Sequence, residues 1–343
     1  MSAPLYAEIG YFEPWWMQIA KALAIFLVVF NMVPMALLAD RKLLGRFQHR
    51  YGPTRVGPFG LLQAVADIGK LLFKQQFVPR DSRKWLFIAA PIISMVTAAA
   101  TLAIIPFSDT VDIFGVKTGL YGVDPSIGIL FAFAFGGIAF YGLMLGGWSS
   151  NSKYSFLGSM RAAAQLISYE IAQGLSIIGV IMMVGSLSLV DIVTWQEQNV
   201  WLFIPQFVGW LVFLVAGFAE TNRPPFDLAE GEAELVGGYF TEYSGGRFAA
   251  FFAAEYLNMV VVSLLFTTIF FGGWDVPFWD QPNWIEPIVV LAKMWVFIFF
   301  FIWVRATLPR LRYDQLMSFG WKILLPLATL NALVTAVLVV VLD

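Results

Sequence analysis

The chain has no cysteine and one histidine, and only 13% of its 343 residues are charged. Without thiols it can form no disulfide, thiolate-ligated iron-sulfur cluster or cysteine nucleophile. A lone His49 leaves too few imidazoles for a haem, zinc or copper site built from this chain, so no metal site is expected. There is no glycine-rich phosphate loop and no Rossmann fingerprint, so neither nucleotide nor nucleic-acid binding is expected. The opening MSAPLYAEIGYFEP has no basic stretch, and no small-residue cleavage site follows the first apolar run. That run therefore reads as a retained span and not as a signal peptide.

What is present is apolar. Hydrophobic residues make up 59% and aromatic residues 17%, the composition of a polytopic helical membrane protein. Apolar segments of about 20 residues recur, at 15–38, 85–106, 127–147, 162–184, 200–219, 249–271, 287–308 and 321–342. They predict an all-α bundle of eight transmembrane helices, a single integral membrane domain over 1–343. The fourth span carries Gln165, Glu170 and Gln173 and reads as a helix buried among others. Pro34, Pro91, Pro205 and Pro326 fall inside spans, where neighbouring helices tolerate kinks.

Basic residues set the orientation. With both termini outside, the segments 39–84, 149–161, 220–248 and 305–322 face the cytoplasm and hold 18 of the 21 Lys and Arg. Lys117 is left in an outer loop. Lys21 and Lys293 lie near outer span ends and are expected to snorkel to the headgroups. Arg46, Arg50, Arg310 and Arg312 are expected to act as positive-inside anchors or lipid contacts.

In the cytoplasmic segment 39–84, Leu61, Val65, Ile68 and Leu72 recur at helical steps, opposite Gln63, Asp67, Lys70 and Lys74. This predicts an amphipathic interfacial helix, with its apolar face against membrane lipid or a neighbouring helix, or framing a side entrance for an amphipathic molecule. Gly52, Pro53, Gly57, Pro58 and Gly60 predict a tight turn before it.

The densest chemistry is in ETNRPPFDLAEGEAELVGGYFTEYSGG, 220–246, where six carboxylates (Glu220, Asp227, Glu230, Glu232, Glu234 and Glu242) accompany one arginine, Arg223. If the loop is helical, Glu230 and Glu234 share a face with Asp227. Two charges about 6 Å apart at an effective dielectric of about 20 repel by about 2.8 kcal/mol, so these acids cannot all be ionised comfortably. Coupled protonation of this kind responds to a nearby change of charge. A solvated loop that docks a basic partner is the plainer reading. Glu170 and Glu255 are isolated intramembrane acids, which favours an interior functional role over a structural hydrogen bond.

RYGPTRVGPFGLLQAVADIGKLLFK, together with the acidic loop and the order of the spans, resembles the membrane H-subunit family of bacterial NADH:quinone oxidoreductase, respiratory complex I, whose mitochondrial counterpart is NADH dehydrogenase subunit 1. The resemblance implies a subunit at the joint of the two arms of that complex. It would form the quinone-access chamber and the start of the proton-coupling path, with flavin and iron-sulfur clusters in other subunits. Quinone is then substrate, and the partners are the other membrane and peripheral subunits and lipid.

On the matching positions the resemblance implies quinone contacts at Asp40, Arg41, Asp67, Lys70 and Arg305, Asp40 standing where the family usually has glutamate. It implies proton coupling through Glu170, Glu220, Arg223, Asp227, Glu230, Glu232, Glu234, Glu242 and Glu255. The implied setting is the bacterial inner membrane, with the mitochondrial inner membrane also compatible. Three other functions fit the residues: the membrane subunit of an energy-converting hydrogenase, a stand-alone cation or proton transporter, and a structural anchor.

Overall fold

The computed structural model describes residues 14–113, 116–277, 279 and 281–342. Seven helices are long and apolar enough to cross a membrane, in agreement with an all-α polytopic bundle. In chain order the elements are α1 (Trp15–Phe47), α2 (Gln63–Phe73), α3 (Lys84–Thr101), β1 (Val111–Ile113), β2 (Val116–Thr118), α4 (Gly128–Ser149), α5 (Lys153–Val184), α6 (Leu189–Gln198), α7 (Phe207–Glu220), α8 (Glu232–Leu235), α9 (Gly245–Phe270), α10 (Glu286–Thr307), α11 (Tyr313–Phe319) and α12 (Leu325–Leu342). The long spans are α1, α3, α4, α5, α9, α10 and the run from α11 through α12.

The fifth expected span is shorter than its apolar composition suggests. α7 has 14 residues and a length of about 21 Å, less than the roughly 30 Å of a hydrocarbon core. The apolar run reads through Pro205, but the chain before Phe207 is turned and not helical. Pro205 has no N–H to donate. Gln206 is instead tied to α12, donating from Nε2 to Thr335 Oγ1 at 2.9 Å and accepting from Asn331 Nδ2 at 2.8 Å. Pro34 and Pro91 do lie inside continuous helices, and a π turn at Gly320–Leu324 leads into the helix that holds Pro326.

Packing is close where side chains are small. A Cβ on Gly142 of α4 would meet Ser94 Oγ of α3 at 2.2 Å, so this crossing requires glycine. Loops at one end are bonded together: Arg83 N to Ser149 O, Phe77 N to Ser244 Oγ and Leu311 N to Pro225 O. This is called the basic end below. At the opposite end Phe203, Trp210, Phe213, Phe266, Phe270, Phe271 and Phe297 interlock as ring pairs.

Both span lysines find protein acceptors. Lys21 is buried and donates to Thr118 Oγ1 at 2.8 Å, tying α1 to β2. Lys293 donates to the carbonyls of Phe271, Gly273 and Asp275 at 2.5–2.9 Å, satisfying the chain just after α9.

Candidate functional site

The amphipathic helix forms as expected. On α2, Val65, Ile68 and Leu72 are exposed, while Asp67 faces α1 and pairs with Arg41. Gln63 Nε2 donates to the other Asp67 oxygen at 2.9 Å. Gly60, at φ +77°, closes the turn before α2 where a Cβ would sit 2.2 Å from Pro53 O.

Behind this helix, at the basic end, a cleft of about 440 Å³ is bounded by α1, α9, the end of α10 and the loop after α7. Asp40 anchors its floor and is 2% exposed. Its Oδ2 accepts from Tyr256 Oη at 2.7 Å and from Arg305 Nη1 at 2.5 Å. Arg223 Nη1 lies 3.6 Å from the same oxygen.

Arg223 reaches this position because α7 ends at Glu220 and Asn222 turns the backbone at φ +50°. The turn is clipped to α5 by Gln165, whose Nε2 donates to Ala219 O at 2.7 Å and Phe226 O at 2.8 Å. The guanidinium lies 3.9 Å from the centre of the Tyr256 ring, and its Nε is 2.7 Å from Glu255 Oε1. That contact is an ion pair off the hydrogen-bond direction, and neither Nε nor Nη2 makes a hydrogen bond among the described residues. Burial disfavours its charge, but Glu255, Tyr256 and Asp40 together outweigh burial and hold it protonated.

The acidic loop then folds back over the cleft. Burial pushes the Asp227 carboxyl up to about 6; Arg310 pulls it down and Glu255 pushes it further up. Glu230 is raised far more, first by burial and then by Glu255 and Asp227, with Arg223 opposing. Burial and the two neighbouring acids thus favour its protonated form. Its carboxyl lies close to that of Glu255, which favours holding a proton between them.

The expected single face of acids does not form. Gly231, at φ +47°, breaks the chain between Glu230 and Glu234, and only the short α8 is helical. Glu234 turns outward, half exposed, to Arg161 at 2.5 Å, which holds its carboxyl below the usual range. The Glu232 side chain lies outside the described residues. Glu242 is half-buried and does not line the cleft, and Lys70 is exposed and does not line it either.

Arg310, expected at the lipid surface, lines the cleft instead, with buried Nε and Nη2 unbonded among the described residues. Arg46 and Arg50 are exposed, and Arg312 pairs with Asp314 on the surface. Tyr256 and Asn222 are further cleft residues that composition and spacing did not single out. A tyrosine adjoining an intramembrane acid was the available signal for Tyr256.

Inside the bundle the polar lining continues. A cavity of about 50 Å³ among α3, α4, α5 and α9 shares Asn222 and Glu255 with the cleft and adds Thr97, Thr101, Asn258 and Glu220. A smaller one, about 20 Å³, shares Glu220 and adds Gln173. Gln173 Nε2 donates to Glu220 Oε2 at 2.8 Å. Glu170, one turn before Gln173 on α5, is half-buried. The Glu170 and Glu220 carboxylates are close enough to repel one another.

At the opposite end a cleft of about 920 Å³ has Asp109, Glu197, Asp275 and Glu286 among tryptophans, a feature that no pattern in the sequence anticipates. Among the described residues, no group of three or more His, Asp or Glu is arranged to hold a metal ion.

The chain matches the NADH dehydrogenase family model over residues 20–336. It is 50% identical over 318 residues to the first of the NADH-quinone oxidoreductase H subunits of Geobacter metallireducens, covering 92% of this chain and 94% of that protein. It is 48% identical over 331 residues to NADH-quinone oxidoreductase subunit 8 of Thermus thermophilus, covering 96% and 89%. Likeness to the NADH-quinone oxidoreductase H subunit of Thermomicrobium roseum is 46% over 330 residues, covering 92% and 95%. Matched along nearly its whole length by a family model and by relatives at about half identity, the chain belongs to the NADH dehydrogenase family, with the H subunits of NADH-quinone oxidoreductase.

Proposed function

We propose that this membrane subunit of NADH-quinone oxidoreductase receives the quinone headgroup in the cleft at its basic end and passes the electrostatic consequence of quinone reduction into the bilayer. The observation that carries this reading is the position of Arg223, which is ion-paired at once with Asp40 in the cleft and with Glu255 at the first membrane cavity. A change of charge in the cleft is felt through one buried cation by an acid of the interior path. In a surrounding of low dielectric such coupling is worth far more than in water.

The chemistry follows from the groups present. Reduction of a quinone to a quinol consumes two electrons and two protons, the electrons coming from cofactors of partner subunits. Arg305, Arg223 and Arg41 are placed to stabilise negative charge as it develops on the headgroup oxygens. Glu230, whose protonated form is favoured by burial beside Glu255 and Asp227, serves as a proton donor in the cleft. Once Glu230 has given up its proton, its charge repels that of Glu255 and raises the proton affinity of the acids beyond it. Glu255 then takes up a proton from solvent at the basic end and passes it to Glu220, which passes it to Glu170, each acid losing its proton as the next gains one. The cytoplasmic placement of the basic end and the outer placement of both termini belong to the same proposal, as do the lipid face of α2 and the peripheral subunits as partners.

A photoactivatable short-chain quinone, added to the intact complex, tests the cleft. Labelled peptides are expected from the end of α1, from 221–231 and from the end of α10, and excess quinone should suppress the labelling. Labelling of this chain only outside those segments, or labelling that quinone does not compete, would contradict the assignment.

A further inference from the structure

Two consecutive glycines of α4, Gly136 and Gly137, have no part in the helix crossing that Gly142 makes. Each has one neighbour near the point where a Cβ would stand, and in both cases it is a carboxylate oxygen. A Cβ on Gly136 would lie 3.3 Å from Glu220 Oε1, and one on Gly137 would lie 3.3 Å from Glu170 Oε1. Glu220 comes from α7 and Glu170 from α5, so acids of two other helices lie against neighbouring glycines of α4.

A free oxygen faces each glycine. Glu220 Oε2 is occupied by the Gln173 amide, which leaves Oε1 toward α4. Glu170 has no hydrogen bond or ion pair among the described residues, so its Oε1 is also available. Glycine is not the residue that helix formation favours there: alanine would stabilise a helix interior by about 1 kcal/mol. A packing partner does not explain the pair either, because no backbone or apolar atom lies within contact distance of either Cβ position outside α4 itself.

We propose that Gly136 and Gly137 are positioning residues for proton transfer between Glu220 and Glu170, keeping open the backbone-lined space beside each carboxylate oxygen. In the transfer, the O–H bond of protonated Glu220 breaks and an O–H bond forms on ionised Glu170. No electron moves, and the negative charge passes from Glu170 to Glu220. A methyl group at either glycine pushes one oxygen back by a few tenths of an ångström, and a branched side chain pushes it further. Proton transfer is steep in distance, and misplacement by about 1 Å costs about 100-fold.

This inference rests on the proton-path reading above, and the test separates the two. In the intact complex in sealed vesicles, Gly136→Ala, Gly137→Ala and the corresponding valine variants are compared with Gly174→Ala. Gly174 lies on α5 one turn from Glu170, but a Cβ there meets nothing within 4 Å, so it controls for the chemical change alone. The expected result is a fall in quinone-linked turnover of about threefold for alanine and about tenfold or more for valine, scaled from that distance dependence. The rate ratio between H2O and D2O should rise in the same order, the apparent KM for quinone should be unchanged, and NADH oxidation by an acceptor at the flavin should be normal. Gly174→Ala should match the wild type. If Glu170→Gln and Glu220→Gln abolish pumping while all four glycine variants match Gly174→Ala in turnover and isotope effect, the glycine inference is wrong and the path stands. If the glutamine variants themselves pump normally, the path is wrong.

Discussion

Arg223 Nε lies 2.7 Å from Glu255 Oε1, and this ion pair joins the cleft at the basic end to the cavities inside the membrane. Both side chains are buried, and the cation is shared with Asp40. Removing one partner of a buried pair leaves an uncompensated charge, at a cost of about 3–5 kcal/mol. Arg223→Met should therefore lower the thermal stability of the membrane arm and abolish quinone reduction. Arg223→Lys, which keeps the charge, should recover stability ahead of activity. Equal recovery of both would mean that charge alone, without the guanidinium stacked on Tyr256, is sufficient.

Arg305 donates to Asp40 at the rim of the cleft and is about one third exposed, so it can reach a headgroup without being essential to the fold. Replacing Arg305 by Met should raise the apparent KM for short-chain quinone while NADH oxidation by an artificial acceptor at the flavin persists. If both activities fell equally in an assembled complex, the placement of quinone here would be wrong.

Asp227 supplies a pH signature. Its value of about 6 in the folded chain stands above the ordinary 3.8 because burial outweighs Arg310. The folded protein thus holds this proton more tightly than the unfolded chain does. Its contribution to stability is fully present below 3.8 and is lost as pH rises to about 6. In activity the ionised form accumulates above about 6. Arg310→Met removes the opposing cation, so the acid limb of quinone reductase kcat/KM should move to higher pH, and Asp227→Asn should remove that limb. An acid limb unmoved by Arg310→Met would return Arg310 to a surface role.

Burial, and then the neighbouring Glu255 and Asp227, push the Glu230 carboxyl far above its usual range. At pH 7 the infrared spectrum of the complex should contain the carbonyl stretch of a protonated carboxylic acid that disappears in Glu230→Gln and shifts on quinone reduction. No difference between the two spectra in that region would show that Glu230 is ionised, and the donor role would fall.

Much of this architecture was legible because bilayers demand long apolar runs, and seven such runs are helices in the structure. The fifth was misjudged in length because Val200, Trp201, Leu202 and Phe203 are as apolar in a turn as in a helix, and hydropathy does not register the break that Pro205 makes. The acidic loop announced itself by composition, but not its geometry. A spacing of four between Glu230 and Glu234 implies a shared face only if the chain between them is helical, and Gly231 reverses it. The cleft draws on residues 40, 223, 256 and 305, whose convergence is a property of packing and not of spacing. In sequence Arg310 is one more basic residue of a cytoplasmic segment, because position alone does not separate a buried cation from an exposed one.

The central claim is that charge in the cleft controls protons in the membrane, and single substitutions of the acids measure it most directly. In sealed vesicles, Glu230→Gln and Glu170→Gln should each depress quinone reductase activity and proton pumping together, by far more than the loss of one surface charge, with the complex assembled and its iron-sulfur clusters still reducible by NADH. Normal turnover and normal pumping in both variants would contradict the account and leave the acidic loop as a docking surface.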